Sequence, residues 1–137
     1  MLCGATIVAA ACSQQPNGTP PSAMSAAADS ALTDRGAVLY AQNCVPCHRE
    51  QGEGVPNIYP SLAGSRAVVG DPIELAQWVL SQKRPASIPA GRYSTQMLLF
   101  GWMKDADAAS LLSYIRSNFG NSAPPVDAAT IAKARER

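Results

Sequence analysis

Residues 44–48 read Cys44-Val45-Pro46-Cys47-His48, and no other stretch restricts the chain's chemistry as much. A Cys-x-x-Cys-His run is the attachment signature of c-type haem. The two thiols add across the two porphyrin vinyl groups. Their spacing puts both sulfurs on one side of a helical turn, and the imidazole that follows points at the iron. Other uses of these residues are weaker. A structural zinc ion takes four ligands, whereas Cys44, Cys47 and His48 supply three crowded ones, and Cys3 and Cys12 lie in the leader. A thioredoxin-type pair expects a strand–helix context, which the periodicity does not provide. A disulfide across two intervening residues would be strained and would leave His48 unexplained.

His48 is the single histidine, so a bis-His iron is excluded. Of the four methionines, Met1 and Met24 fall in the leader and the segment after it, leaving Met97 and Met103. Met97, 49 residues after His48 in an irregular stretch, is the expected sixth ligand. Met103, beside the start of a helix, is the alternative, and an open site is the third possibility. His/Met ligation raises the reduction potential relative to more basic axial pairs. It also closes both faces of the iron, so the expected chemistry is outer-sphere electron transfer. The rival classes are a five-coordinate haem enzyme or gas sensor, and a non-haem interaction domain. Ready carbon monoxide binding would point to the first.

A large apolar cofactor would also help the core. The 137 residues suffice for one small domain with tails, yet Phe occurs only twice. Eleven Lys and Arg against ten Asp and Glu leave a net charge of +1 with no single-sign run, which argues against nucleic acid as a partner. Residues 1–12 read as an export signal, too short to span a bilayer as a helix. The basic start of such a signal is missing, so the true start is expected upstream. Ala9-Ala10-Ala11-Cys12 fits lipoprotein cleavage before Cys12, with plain cleavage as the alternative. A lipidated Cys12 would attach the domain to a membrane, in a periplasmic or otherwise extracytoplasmic setting. Residues 13–30, rich in Pro, Ser and Ala, read as a flexible tether.

Hydrophobic periodicity is helical throughout. One helix is expected over 31–43, capped by Ser30 or Thr33. A second starts from Asp71 with Pro72 and Glu74 in its first turn and ends before Pro85. A third runs over 105–119, capped by Asp105 and closed by Gly120. A short tail helix follows Asp127. Residues 50–70 and 85–103 read as loops, which are long for a helical domain unless both wrap a cofactor. Tyr93, Phe100, Trp78 and Trp102 are expected to pack on the haem or in the core. Arg66, Lys83, Arg84 and Arg92 would face propionates, a docking partner or solvent.

Residues 31–120 resemble the class I cytochrome c family. The likeness rests on Gly36 and Tyr40 before the pentapeptide, on Pro60-Ser61-Leu62-Ala63-Gly64, and on Met97-Leu98-Leu99-Phe100. It implies an all-α cytochrome c fold of three to five helices around one covalently bound haem. Gly36 would pack closely on the last helix of the domain at Leu111 and Tyr114. The Pro60 carbonyl would accept the imidazole proton of His48, and Met97 would ligate the iron. Residues 121–137 would be an extension with a short helix. The chain departs from the family at Leu98 (usually Pro), Arg49 (often Gly) and Lys104 (often a Ser cap). Tyr114-Ile115-Arg116, Phe119-Gly120-Asn121 and Ala123-Pro124-Pro125-Val126 are similar to cytochrome subunits of periplasmic dehydrogenases. The resemblance implies an electron carrier rather than a catalyst, with a dehydrogenase, another cytochrome or an oxidase as partner.

Overall fold

A computed structural model describes residues 21–88 and 93–136, with 21–30 and Leu32 as backbone alone. They form helices α1 (Pro21–Asn43), α2 (Val45–His48), α3 (Arg66–Val69), α4 (Pro72–Ser81), α5 (Asp105–Ser117) and α6 (Ala128–Arg135). One isolated antiparallel bridge joins Val55 and Tyr59. The chain is all-α. The single-turn helices α2 and α3 bring the number to six, one more than expected, and α3 falls inside the stretch read as loop.

The first helix starts ten residues earlier than its expected position. Ser22–Leu32 is Ala-rich, Ala is the best helix former, and Pro21 at the first position loses no hydrogen bond. Residues 21–30 are therefore helical backbone rather than an irregular tether, and Ser30 and Thr33 lie inside α1 instead of capping it. The leader, Cys12, residues 13–20 of the tether and Arg92 fall outside the described residues.

Helix α1 packs most extensively against α5. A Cβ on Gly36 would lie 2.2 Å from the Ser110 carbonyl oxygen and 2.5 Å from Tyr114 Cβ. The helices thus touch backbone to backbone, with Ser110 and Tyr114 as partners. The inner faces bury Leu39, Tyr40, Leu111, Leu112 and Ile115. Full burial of a Leu contributes about 1.5–3 kcal/mol, so this contact is the main apolar seam.

Helix α4 begins as the sequence predicts. Asp71 accepts from the backbone N–H of Ile73 at 2.8 Å and of Glu74 at 3.0 Å. It stops at Ser81 because Gln82 turns left-handed, with φ 55°. The start of α5 differs from expectation. Lys104 holds the cap position without a side-chain bond, and Asp105 instead sits in the first turn and pairs with Arg135 at 2.7 Å. The helix also ends at Ser117, after which Phe119 (φ 59°) and Gly120 (φ 77°) turn the chain.

Residues 121–136 complete the same core. Asp127 caps α6 by accepting from Thr130 N–H at 2.7 Å, and α6 packs on α4 and α5. Val126, Ile131 and Ala134 are buried there. Arg116, 3% exposed, has no carboxylate partner in its hydrogen bonds. Its guanidinium donates to the carbonyls of Val68 (2.7 Å), Gly70 (2.9 Å) and Pro124 (2.8 Å). Burial lowers its pKa, opposed by the Asp71 carboxylate.

Candidate haem-binding site

The pentapeptide follows directly from α1. Cys44 N–H still bonds the Tyr40 carbonyl at 2.8 Å, and His48 N–H bonds the Cys44 carbonyl at 2.8 Å, so Cys44 and Cys47 sit one helical turn apart. Neither is in a disulfide; Cys44 is buried and Cys47 half-buried. Burial pushes the Cys44 thiol up to about 12, with the neighbouring Cys47 sulfur opposing its ionisation further. A thiol held that way is a poor exchange nucleophile, which weakens the thioredoxin reading. Among the described residues no three His, Cys, Asp or Glu side chains are grouped so that they could together hold a metal ion.

His48 is 6% exposed, and its Nδ1 lies 2.9 Å from the Pro60 carbonyl oxygen. A carbonyl can only accept, so the proton is assigned to Nδ1 and Nε2 is left with its lone pair. Desolvation lowers the pKa of His48, partly offset by the Pro60 bond, which favours the neutral ring that a metal needs. Pro60, expected from resemblance to orient His48, supplies the carbonyl that faces Nδ1. The turn after His48 is closed by Tyr40, whose hydroxyl donates to the Arg49 carbonyl at 2.6 Å. Tyr40, Tyr114 and Phe119 form a ring cluster with centroids 4.9–5.7 Å apart. Gly52 lies directly on Phe119; a Cβ there would be 2.7 Å from the ring.

The two candidate methionines differ in setting. Met103 is 2% exposed, enclosed in the core by the chain's own atoms. Met97 is half-buried at the core's edge, in the irregular segment between α4 and α5. The Gln82 side-chain amide donates to the Met97 carbonyl, and Gln96 in turn donates to Gln82 Oε1 at 2.6 Å. Phe100 is buried, whereas Leu98 is 69% exposed, Leu99 54% and Trp102 69%. Tyr93 is exposed and Trp78 half-buried, so of the four expected packing aromatics only Phe100 belongs fully to the core. The Arg84 guanidinium lies 4.8 Å from the Trp78 ring centre.

The donor set fits a covalently bound haem: two adjacent thiols, one imidazole with its distal nitrogen available, and a thioether on a loop lined with uncovered apolar side chains. Four residues that hold this arrangement were given no role at the site from the sequence, although Arg116 and Asn121 fall in the segments similar to dehydrogenase cytochrome subunits. Gln82 anchors the Met97 segment. Arg135 donates to the carbonyls of Gly101 (2.9 Å) and Met103. Arg116 ties α3, and Asn121 the loop before α3, to the end of α5. All four act largely on backbone carbonyls, which every residue possesses and no motif marks.

The cytochrome c family model matches residues 33–119. The chain is 30% identical over 109 residues to the alcohol dehydrogenase (quinone) cytochrome c subunit of Gluconobacter oxydans (strain 621H), covering 73% of this chain and 22% of that one. It is 28% identical over 92 residues to cytochrome c-552 of Thermus thermophilus, covering 64% of this chain and 70% of that one. It is 29% identical over 105 residues to the gluconate 2-dehydrogenase cytochrome c subunit of Pantoea cypripedii, covering 74% and 24%. The chain thus spans about a quarter or less of the dehydrogenase subunits it matches.

Proposed function

The chain belongs to the cytochrome c family, and on that premise we propose that it carries single electrons through one haem. Cys44 and Cys47 would bind that haem as thioethers, and His48 and Met97 would ligate its iron. The observation that carries the reading is the 2.9 Å contact from His48 Nδ1 to the Pro60 carbonyl, immediately beside two unpaired thiols. When bound, the haem supplies a one-electron Fe(III)/Fe(II) couple. The chain does the rest. Burial keeps His48 neutral, and Pro60 fixes its ring and raises its basicity as a ligand. The Tyr40–Arg49 bond pins the end of the attachment turn. Gln82 holds the backbone of Met97, while the full enclosure of Met103 in the core supports Met97 as the sulfur ligand.

Electron exchange would run with a dehydrogenase, another cytochrome or an oxidase, through the small contact usual for such encounters. The similarity to dehydrogenase cytochrome subunits supports the first. The export-signal reading of residues 1–12 puts the domain outside the cytoplasm. Among the described residues no helix is long and apolar enough to cross a membrane, and a lipid on Cys12 would supply attachment; intact mass of the mature chain tests it.

The test of the ligand set is optical. The ferric protein is expected to show a far-red sulfur-to-iron band that vanishes in Met97→Ala and survives in Met103→Ala. A band that survives in Met97→Ala, or ready carbon monoxide binding by the reduced wild type, would overturn Met97 ligation.

A further inference from the structure

The Pro60 carbonyl that faces His48 sits in a loop that packs through Leu62 and against the Gly54 backbone and is open on its outer side. Ser61, Ala63 and Gly64 are exposed, and Gly64, at φ 65°, has nothing within 4 Å of where a Cβ would be. The Val55–Tyr59 bridge holds its start, the Ser61 hydroxyl donates to the Gly52 carbonyl at 3.3 Å, and residues 62–64 are held from two sides. On one side Leu62 N–H donates to the Gly52 carbonyl at 2.7 Å. On the other stands Asn121, 7% exposed. Its amide nitrogen donates to the carbonyls of Leu62 (3.1 Å) and Ile115 (2.9 Å), and its amide oxygen accepts from Gly64 N–H at 2.8 Å. Backbone bonds from Asn121 to Asn118 (2.9 Å) and from Ala123 to Arg116 (3.1 Å) fix the residue against the end of α5. One side chain thus spans from the rigid α1–α5 seam to the loop that carries Pro60.

We propose that Asn121 is the positioning residue for the imidazole side of the haem. By locking residues 62–64 to α5, it holds the Pro60 carbonyl in line with His48 Nδ1 and so sets how strongly the other ring nitrogen donates to the iron. The inference rests on the reading that His48 ligates haem. Outer partners of this kind tune the metal by orienting its ligand and raising its basicity. Loss of Asn121 weakens the Nδ1–H···O bond, the imidazole donates less, Fe(III) is less well stabilised, and the potential rises.

The test uses the haem-loaded protein. Asn121→Leu removes all three amide bonds. Ser113→Ala is the control: it cuts the neighbouring tie between α5 and the same segment (Ser113 Oγ to Val126 O at 3.1 Å, Val126 N to Ser113 Oγ at 2.8 Å) without touching the loop. Asn121→Leu is expected to shift the Fe(III)/Fe(II) ratio at fixed poise about tenfold toward Fe(II), ~59 mV for a one-electron couple. It should also lower the iron–imidazole stretching frequency, read by resonance Raman in a Met97→Ala background. Ser113→Ala should lose stability with neither signal moved. Unchanged signals in Asn121→Leu, or an equal shift in Ser113→Ala, would overturn the proposal. Should Asn121→Leu fail to accumulate with haem, hydrogen exchange on the wild type decides. The His48 Nδ1 proton, the Gly64 amide and the Asn121 side-chain amide are expected to open in one step, and separate openings would overturn it. A Met97→Ala protein with haem bound but no iron–imidazole signal, Asn121 being intact, would instead sink the functional reading itself.

Discussion

Around His48 the chain closes on itself, whereas around Met97 it does not. The imidazole is 6% exposed, bonded to Pro60, and enclosed by loops that Tyr40, Gly52 and Asn121 tie to the α1–α5 seam. The Met97 segment is tied mainly through backbone groups, by Gln82 to the Met97 carbonyl and by Phe100 N–H to Val79 O at 3.3 Å, and it leaves Leu98 and Leu99 in the open. The first side is organised by protein–protein hydrogen bonds and close packing; the second needs an apolar body to cover it. In a one-electron carrier this asymmetry has a use. The imidazole side would fix the orientation of a bound haem, and the thioether side would close on it.

The most severe way to break this comparison is at Gly36. Any side chain there meets the Ser110 backbone rather than a flexible atom, so α1 and α5 must separate and the scaffold behind His48 goes with them. Gly36→Val is expected to cost about 3 kcal/mol, the upper end for overpacking, measured by denaturant unfolding of the haem-loaded protein. Wild-type stability in that variant would mean the seam does not organise the imidazole side.

A milder change sharpens the other side. Gln82→Glu keeps the shape of the side chain and its left-handed backbone but cannot donate to the Met97 carbonyl. One such bond is worth about 1 kcal/mol, so exogenous imidazole should displace Met97 about fivefold more readily, read from the loss of the far-red band. Unchanged imidazole affinity would show that Gln82 does not restrain the segment.

The smallest effect should come from the exposed pair Arg35–Asp107, 2.9 Å apart at the outer edge of the α1–α5 seam. The side-chain bond from Arg35 holds the Asp107 carboxyl below its ordinary 3.8. A depressed carboxylate stabilises the fold above its unfolded value and loses that contribution as pH falls through the lower folded value. Asp107→Asn should therefore unfold slightly earlier than wild type at pH 6, with the gap closing toward pH 3. A gap that widens in acid would contradict the assignment.

What the sequence conveyed follows from the kind of interaction involved. Cys44, Cys47 and His48 are covalent chemistry at fixed spacing. Asp71 and Asp127 are caps, where a side chain meets backbone three residues on, so local sequence is enough for both. Pro60 was reachable through resemblance, because an acceptor carbonyl leaves no trace in composition. Asn121 and Arg116 fall in segments similar to dehydrogenase cytochrome subunits, but they act on carbonyls 46 to 59 positions away, and nothing local marks that role. The early start of α1 was obscured because Ala-rich, Ser-rich sequence serves equally as helix or linker. Asp105 was expected to cap α5, but Lys104, which stands where the family often has a Ser cap, holds that position without a side-chain bond and leaves Asp105 to Arg135.

Everything here turns on whether a porphyrin is bonded to Cys44 and Cys47. Intact-mass spectrometry of the exported protein under denaturing conditions asks this directly. The predicted result is the chain plus one haem that stays attached in denaturant, and a bare chain for Cys44→Ser/Cys47→Ser. A wild-type chain of unmodified mass with both thiols open to alkylation would contradict the account.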